Sequence, residues 1–188
     1  MRQILSVALL GISVGRKQTR PPEIQDRFQN LGFAAGKAGE MPVDWELGIR
    51  GTRSYVAETS AGAACHDGAR CAVVKSTGIG KDNFCFLYQI VDATAYRGKN
   101  LAYRAAVRTD LKPGSVARLL VRIHRENGST SFRDDMGNHP ITARSWTFYE
   151  IDAPVIFDAR DIEFGMQVFG EGSAWIDKVS VEFSSAPR

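Results

Sequence analysis

Leu101–His124 reads LAYRAAVRTDLKPGSVARLLVRIH, and its alternation decides the fold class. Leu101, Tyr103, Ala105 and Val107 fall on one face of an extended chain, with Ala102, Arg104, Ala106 and Arg108 on the other. Lys112–Ser115, KPGS, turns the chain. In the next run Ala117, Leu119, Val121 and Ile123 form the apolar face, with Arg118, Arg122 and His124 opposite beside Leu120. A period of two, held through two consecutive runs around a Pro-Gly turn, predicts a pair of half-buried strands.

The same signals recur outward in both directions. Tyr55–Thr59 and Cys71–Ser76 read as strands, and Phe84–Val91 is a near-continuous apolar run of the kind buried on both faces. Toward the C-terminus, Ile162, Phe164, Met166 and Val168 point inward and Gln167 outward. In the last strand, Ala174–Phe183, the parity of Val179, Val181 and Phe183 carries Asp177 inward as well. With 18 glycines, an Asn-Gly turn in ENGST and no long 3.6-residue period, the chain is expected to be all-β. About eight strands at regular spacing predict a two-sheet antiparallel β-sandwich, with jelly roll as its topology.

Ser131–Asp152, SFRDDMGNHPITARSWTFYEID, places a polar loop directly before an aromatic strand. Trp146 and Phe148 share one face of that strand, Tyr149 and Ile151 the other. Trp146 is expected in the core, as a strand Trp that anchors a sandwich, with Tyr149 and Trp146 both candidates for an aromatic platform. The loop holds Asp134, Asp135 and His139, which read either as a binding loop on a rigid strand or as side chains capping their own backbone.

A chain of 188 residues suits one domain, here residues 30–183, with an arm at 1–29 and a tail at 184–188. The formal charge is only +3, and the basic residues form no stripe interleaved with aromatics, so nucleic acid is not an expected partner. Ile4–Val14 is too short an apolar run to span a bilayer but fits a signal-peptide core, with cleavage after Gly15. A first strand or a flexible arm fits it equally, so export and cytoplasmic residence both stay open. Thr19–Gln29 reads as a linker or a single helical turn. Of three cysteines, Cys65 and Cys71 flank HDGAR and face each other across a turn, ready for a disulfide in an exported protein. Cys85 reads as a buried small hydrophobe, and no Cys/His spacing points to zinc. TGIGKDN lacks the spacing of a phosphate loop and leads into a strand.

Several segments together resemble the galactose-binding-like jelly rolls. They are NLGF with its glycine turn, VDATAYRGKNLAYRAAVRTD, FRDDMGNHPI, WTFYEI and IEFGMQVFGEGSAWIDKVSVEF. Within that group the chain is similar to carbohydrate-binding-module-like domains, found alone or attached to bacterial regulators and peptidases. The resemblance covers Asn30–Phe183 and is specific for fold rather than ligand. It implies a structural calcium between the first strand and the last strand, held by a Glu after the first Phe and by a pair of Asp in the last strand. Here Ala34 stands at the first position and Asp177 is followed by Lys178, so one carboxylate of the set remains. It also implies a sugar site on a concave sheet face and adjoining loop.

A neutral polyol needs apolar stacking area and a few convergent hydrogen-bonding groups. Arg104, Arg122, His124 and Gln167 all stand opposite their strands' apolar faces, and with Asp134, Asp135 and Tyr149 they form the expected site for a carbohydrate or other small polar ligand. The same residues allow an enzyme, a hydrolase, lyase or cyclase, with His139 or His124 as base and Asp134, Asp135 or Glu126 as acid or orienting group. No Gly-x-Ser-x-Gly or His-Glu-x-x-His motif supports catalysis, and adjacent Asp residues in an extended chain point apart. A protein-interaction domain is the third reading. The sequence carries no signal of oligomeric state.

Overall fold

The computed structural model describes residues 23–51, 55–78 and 84–185, and the apolar run Ile4–Val14 lies outside them. Among the described residues the chain forms eleven strands. They are β1 (Ile24–Gln25), β2 (Glu46–Arg50), β3 (Tyr55–Ala61), β4 (Arg70–Ser76), β5 (Phe84–Asp92), β6 (Lys99–Leu111), β7 (Val116–Arg125), β8 (Thr130–Asp134), β9 (Thr147–Val155), β10 (Ala159–Phe169) and β11 (Gly172–Ser185). A six-stranded sheet runs β1-β5-β10-β7-β8, with β2 also pairing with β5, and a five-stranded sheet runs β3-β4-β11-β6-β9. The pairs are antiparallel except β1 with β5. This is the expected two-sheet jelly-roll sandwich.

The inner faces follow the alternation. Leu101, Tyr103, Ala105 and Val107 from β6 meet Leu119, Val121 and Ile123 from β7 and Ile162, Phe164 and Met166 from β10 in one core. Phe164 sits at its centre, with ring centroids 5.2 Å from Tyr103, 5.7 Å from Trp45 and 5.2 Å from Phe28. Burying a ring of this size among such neighbours is worth about 3 kcal/mol. Cys85 is fully buried, and loss of water around it pushes the thiol up to about 12. The anchoring Trp is Trp45, packed on Phe33 at 5.1 Å, and not Trp146, which lies outside the sandwich on the five-stranded sheet.

The chain joins the sheet ahead of Asn30. Ile24–Gln25 pairs with Ile90–Val91, and the buried Gln89 amide donates to Gln29 O (2.6 Å) while its oxygen accepts from Gln29 N–H (3.2 Å). Within the expected linker or helical turn, Ile24–Gln25 are thus a short strand, and residues 19–22 lie outside the described residues. Gly165 occupies the middle of β10 at φ 155°, where a Cβ would fall 2.8 Å from Tyr88 Cα, so close approach of β5 requires glycine there.

The expected inward Asp177 is corrected by a bulge. Ala174 and Ile176 face the core, the β11 to β6 register shifts between Asp177 and Ser180 with Lys178 at φ 51°, and Val179 then faces inward. One inserted residue reverses parity. Asp177 therefore sits on the outer side of the sheet, opposite Ala106, and is buried there by the loop that precedes β4.

Candidate functional site

The outward residues of the six-stranded sheet gather chemistry that a single strand does not reveal. Across it, Gln167 lies between Phe86 and Arg118, Gly165 between Tyr88 and Leu120, Glu163 between Ile90 and Arg122, and Asp161 between Asp92 and His124. β2 extends two of these rows, with Gly48 beside Phe86 and Glu46 beside Tyr88. A hollow of about 130 Å³ opens on this face, lined by Gly48, which brings no side chain, and by Arg50, Phe84, Phe86, Tyr88, Arg122, Glu163 and Gln167. Two stacked pairs supply apolar area, Phe84 on Phe169 (5.0 Å, 26°) and Phe86 on Tyr88 (4.8 Å, 12°).

Polar groups meet on the same sheet face, in and beside the hollow. Arg122 Nη1 donates to Glu163 Oε2 (2.8 Å), and Tyr88 O–H donates to Glu46 Oε2 (2.9 Å). His124 Nδ1 donates to Asp161 Oδ1 (2.6 Å), whose other oxygen accepts from Arg160 Nε (2.6 Å), and His124 Nε2 faces Glu163 Oε2 at 4.0 Å. Burial pushes the Glu163 carboxyl above its ordinary value, against the pull of Arg122 and His124. Burial and then the Glu46 hydrogen bond push the Tyr88 phenol up as well. Among the described residues, Arg118 Nε, Arg122 Nε and Gln167 Oε1 are buried with no hydrogen-bond partner. Two donors and one acceptor are thus left open in a place where leaving them so costs about 1–3 kcal/mol each.

Of the expected site residues, Arg122, His124 and Gln167 come together on this face. Arg104 does not join them. It lies on the outer face of the opposite sheet, with its guanidinium 4.2 Å from the centre of the Phe148 ring, because β6 and β7 are consecutive in sequence but belong to different sheets. Tyr149 shares the inward parity of Ile151 and packs, partly buried, against the core rather than lining the hollow. Asp134 and Asp135 cap their own loop: Asp134 Oδ1 accepts from Met136 N–H (2.8 Å), and Asp135 accepts from Gly137 N–H (3.2 Å) and Arg133 Nη2 (2.8 Å). His139 is exposed on a turn closed by its N–H to Met136 O (2.9 Å), and Glu126 binds Arg97 (2.7 Å). Neither Asp134, Asp135 nor His139 lines the hollow.

The sequence reading missed Phe84, Phe86, Tyr88, Phe169, Arg118, Glu163 and Asp161. Phe84–Val91 looked buried on both faces, yet only its odd positions enter the core, and Phe84, Tyr88 and Ile90 are half-exposed on the other side. The usable signal was three aromatics at alternate positions, 84, 86 and 88.

The residues around Asp177 do not fit a calcium ion. Oδ2 accepts from His66 N–H (2.9 Å) and Oδ1 from Lys178 N–H (2.6 Å), Ala34 brings no carboxylate, and the adjacent sulfurs of Cys65 and Cys71 are joined as a disulfide. Calcium takes six to eight hard oxygens, and a single carboxylate already engaged with amides is far from that set.

No protein-family model matches the chain. It is 29% identical over 147 residues to an uncharacterized HTH-type transcriptional regulator, YbfP, of Bacillus subtilis (strain 168), across 77% of this chain and 46% of that protein, so it spans about half of that relative's length. Among solved structures it is similar to the CBM22-1 xylan-binding domain of Paenibacillus barcinonensis Xyn10C, with TM-score 0.56 and 13% identity over 83% of this chain and 93% of that one. It is also similar to the enzymatically active domain of tailspike protein 4 of bacteriophage CBA120, with TM-score 0.61 and 16% identity over 76% of this chain and 20% of that one. At these identities the likeness is one of fold, the β-sandwich of carbohydrate-binding modules.

Proposed function

We propose that this chain is a noncatalytic ligand-binding β-sandwich that recognises an oligosaccharide or similar polyol in the hollow of the six-stranded sheet. One observation carries the reading: Arg122 and Gln167, whose Nε and Oε1 are buried without a partner, line a hollow beside the stacked rings of Phe86 and Tyr88. A sugar hydroxyl both donates and accepts, so it satisfies an open donor and an open acceptor together, while its C–H face packs on the rings. The description of the similar Paenibacillus domain as xylan-binding, and the sandwich fold it shares with this chain, support the same ligand class. The partial match to a transcriptional regulator supports a use in sensing such a ligand.

Calorimetric titration with xylo-, gluco- and galacto-oligosaccharides tests this. Saturable binding to one of them is expected, with Arg122→Ala weakening it at least about tenfold, the scale of one charged hydrogen bond. Gln167→Ala, which leaves Glu163 its partner, is expected to weaken binding with thermal unfolding unchanged. No saturable heat with any of the panel overturns the reading. A second reading, acid–base chemistry at the edge of the hollow, is favoured by His124, held by Asp161 with Nε2 facing the lining residue Glu163. Release of reducing sugar from the same panel distinguishes it from binding alone.

A further inference from the structure

We infer that the preferred ligand carries a carboxylate, as in a uronic acid residue of an oligosaccharide, and that Arg118 receives it; this deepens the proposed sugar-binding reading and rests on it.

Arg122 is paired with Glu163, and Arg133 with Asp135. Arg118 stands across from Gln167 on the same face, half-buried, with its guanidinium 4.7 Å from the centre of the Phe169 ring. Its Nε–H is buried without a partner, and among the described residues no carboxylate forms an ion pair with it. Asp135, on the neighbouring loop, has its oxygens taken by Arg133 and by Gly137 N–H. That loop comes close: a Cβ on Gly137 would lie 3.6 Å from Arg118 Nη1, so the loop forms a wall beside the guanidinium.

A cation held this way has lost part of its water and gained only a ring face in return. A planar carboxylate matches a guanidinium edge through two parallel hydrogen bonds, which no hydroxyl reproduces. The adjoining groups complete a sugar acid and not a bare anion. Gln167, whose Oε1 is buried without a partner, stands next to Arg118 for a ring hydroxyl beside the carboxylate, and Phe84 and Phe169 form a stacked pair at the same end of the sheet. The counter-charge on the hollow's lining is Glu163, which is already bound by Arg122, so an incoming carboxylate meets no unpaired like charge there.

The test compares one sugar in charged and neutral form on the full chain: hexagalacturonate against its methyl ester, with xylohexaose as a neutral reference. The acid is expected to bind at least about tenfold tighter than the ester, as one charged hydrogen bond requires. That advantage is expected to shrink as ionic strength rises from about 50 mM to about 500 mM. Arg118→Gln is expected to bring the acid-to-ester ratio to about one, while Arg118→Lys, which keeps the charge without the planar edge, retains part of it. Thermal unfolding of each variant reports its folding. Equal affinity for acid and ester, or an undiminished ratio in Arg118→Gln, overturns the inference. If xylohexaose binds and hexagalacturonate does not, the carboxylate inference alone fails. If none of the three binds, the sugar-binding reading fails with it.

Discussion

The two outer faces of the sandwich both set arginines beside aromatic rings, and they use them in opposite ways. On the five-stranded sheet Arg104 lies over Phe148 at 4.2 Å, while Arg108 lies over Trp175 at 3.8 Å and gives both Nε and Nη2 to Ala64 O. The loop that supplies Ala64 is tied down by the Cys65–Cys71 disulfide, by His66 N–H on Asp177 and by Lys178 on Asp67. On the six-stranded sheet the loops leave a hollow open, and Arg118 and Arg122 each keep a buried Nε–H without a partner. The residue types are the same on both faces. What differs is the buried N–H groups: the chain claims those of Arg108 with Ala64 O, and leaves one on Arg118 and one on Arg122 without a partner.

Removing the disulfide should break this contrast most strongly. Closing so short a loop stabilises a chain by about 2 kcal/mol in the chain-entropy account, so Cys71→Ser is expected to cost about that much in denaturant unfolding. The loop also covers Trp146, 5.7 Å from the His66 ring, so tryptophan fluorescence is expected to change. Oligosaccharide affinity is expected to hold, since the hollow lies on the other side of the core. A parallel loss of affinity would mean that the two faces are coupled.

A smaller effect separates the faces by the sign of their pH dependence. Burial, opposed by Arg122 and His124, raises the Glu163 carboxyl in the folded protein, so the folded state binds its proton more tightly than the unfolded chain. Its contribution is therefore fully present below the ordinary glutamate value and is lost as pH rises through the folded value. Across the sandwich, the Lys178 hydrogen bond lowers the exposed Asp67, whose contribution is present at higher pH and lost as pH falls. Thermal midpoints followed from acid to neutral pH are expected to show Glu163→Gln removing a decline and Asp67→Asn removing a rise, the latter weakly because the pair faces solvent. The same sign for both variants would defeat this account.

Alternation along single strands made the inner faces legible, and it correctly put Arg122, His124 and Gln167 on outward positions of the strands they share a sheet with. It failed where the answer depended on more than one strand. Parity says which side of a strand a residue occupies but not which sheet the strand joins, so Arg104 was grouped with residues on the far side of the core. At Lys178 one bulged residue reversed the parity that carried Asp177 inward. An apolar strand beside a hollow has the same composition as one buried on both faces, so alternation alone does not separate Phe84, Phe86 and Tyr88 from the core. The short strands β1, β2 and β8 are held by pairing with longer neighbours rather than by their own alternation.

The smallest effect isolates the arginine that the sequence misplaced. Arg104 is exposed and makes a single cation–π contact, worth about 0.5–1 kcal/mol at a surface position. Arg104→Ala is expected to lower unfolding stability by no more than that, and to leave oligosaccharide affinity unchanged where Arg122→Ala abolishes most of it. The two arginines lie on consecutive strands with the same outward parity, and only their sheets differ. Equal losses of affinity from both variants would move the ligand away from the hollow. A loss from Arg104→Ala alone would transfer the binding face to the five-stranded sheet, where Phe148 is 42% exposed beneath the guanidinium and would become the stacking platform once that cation is displaced.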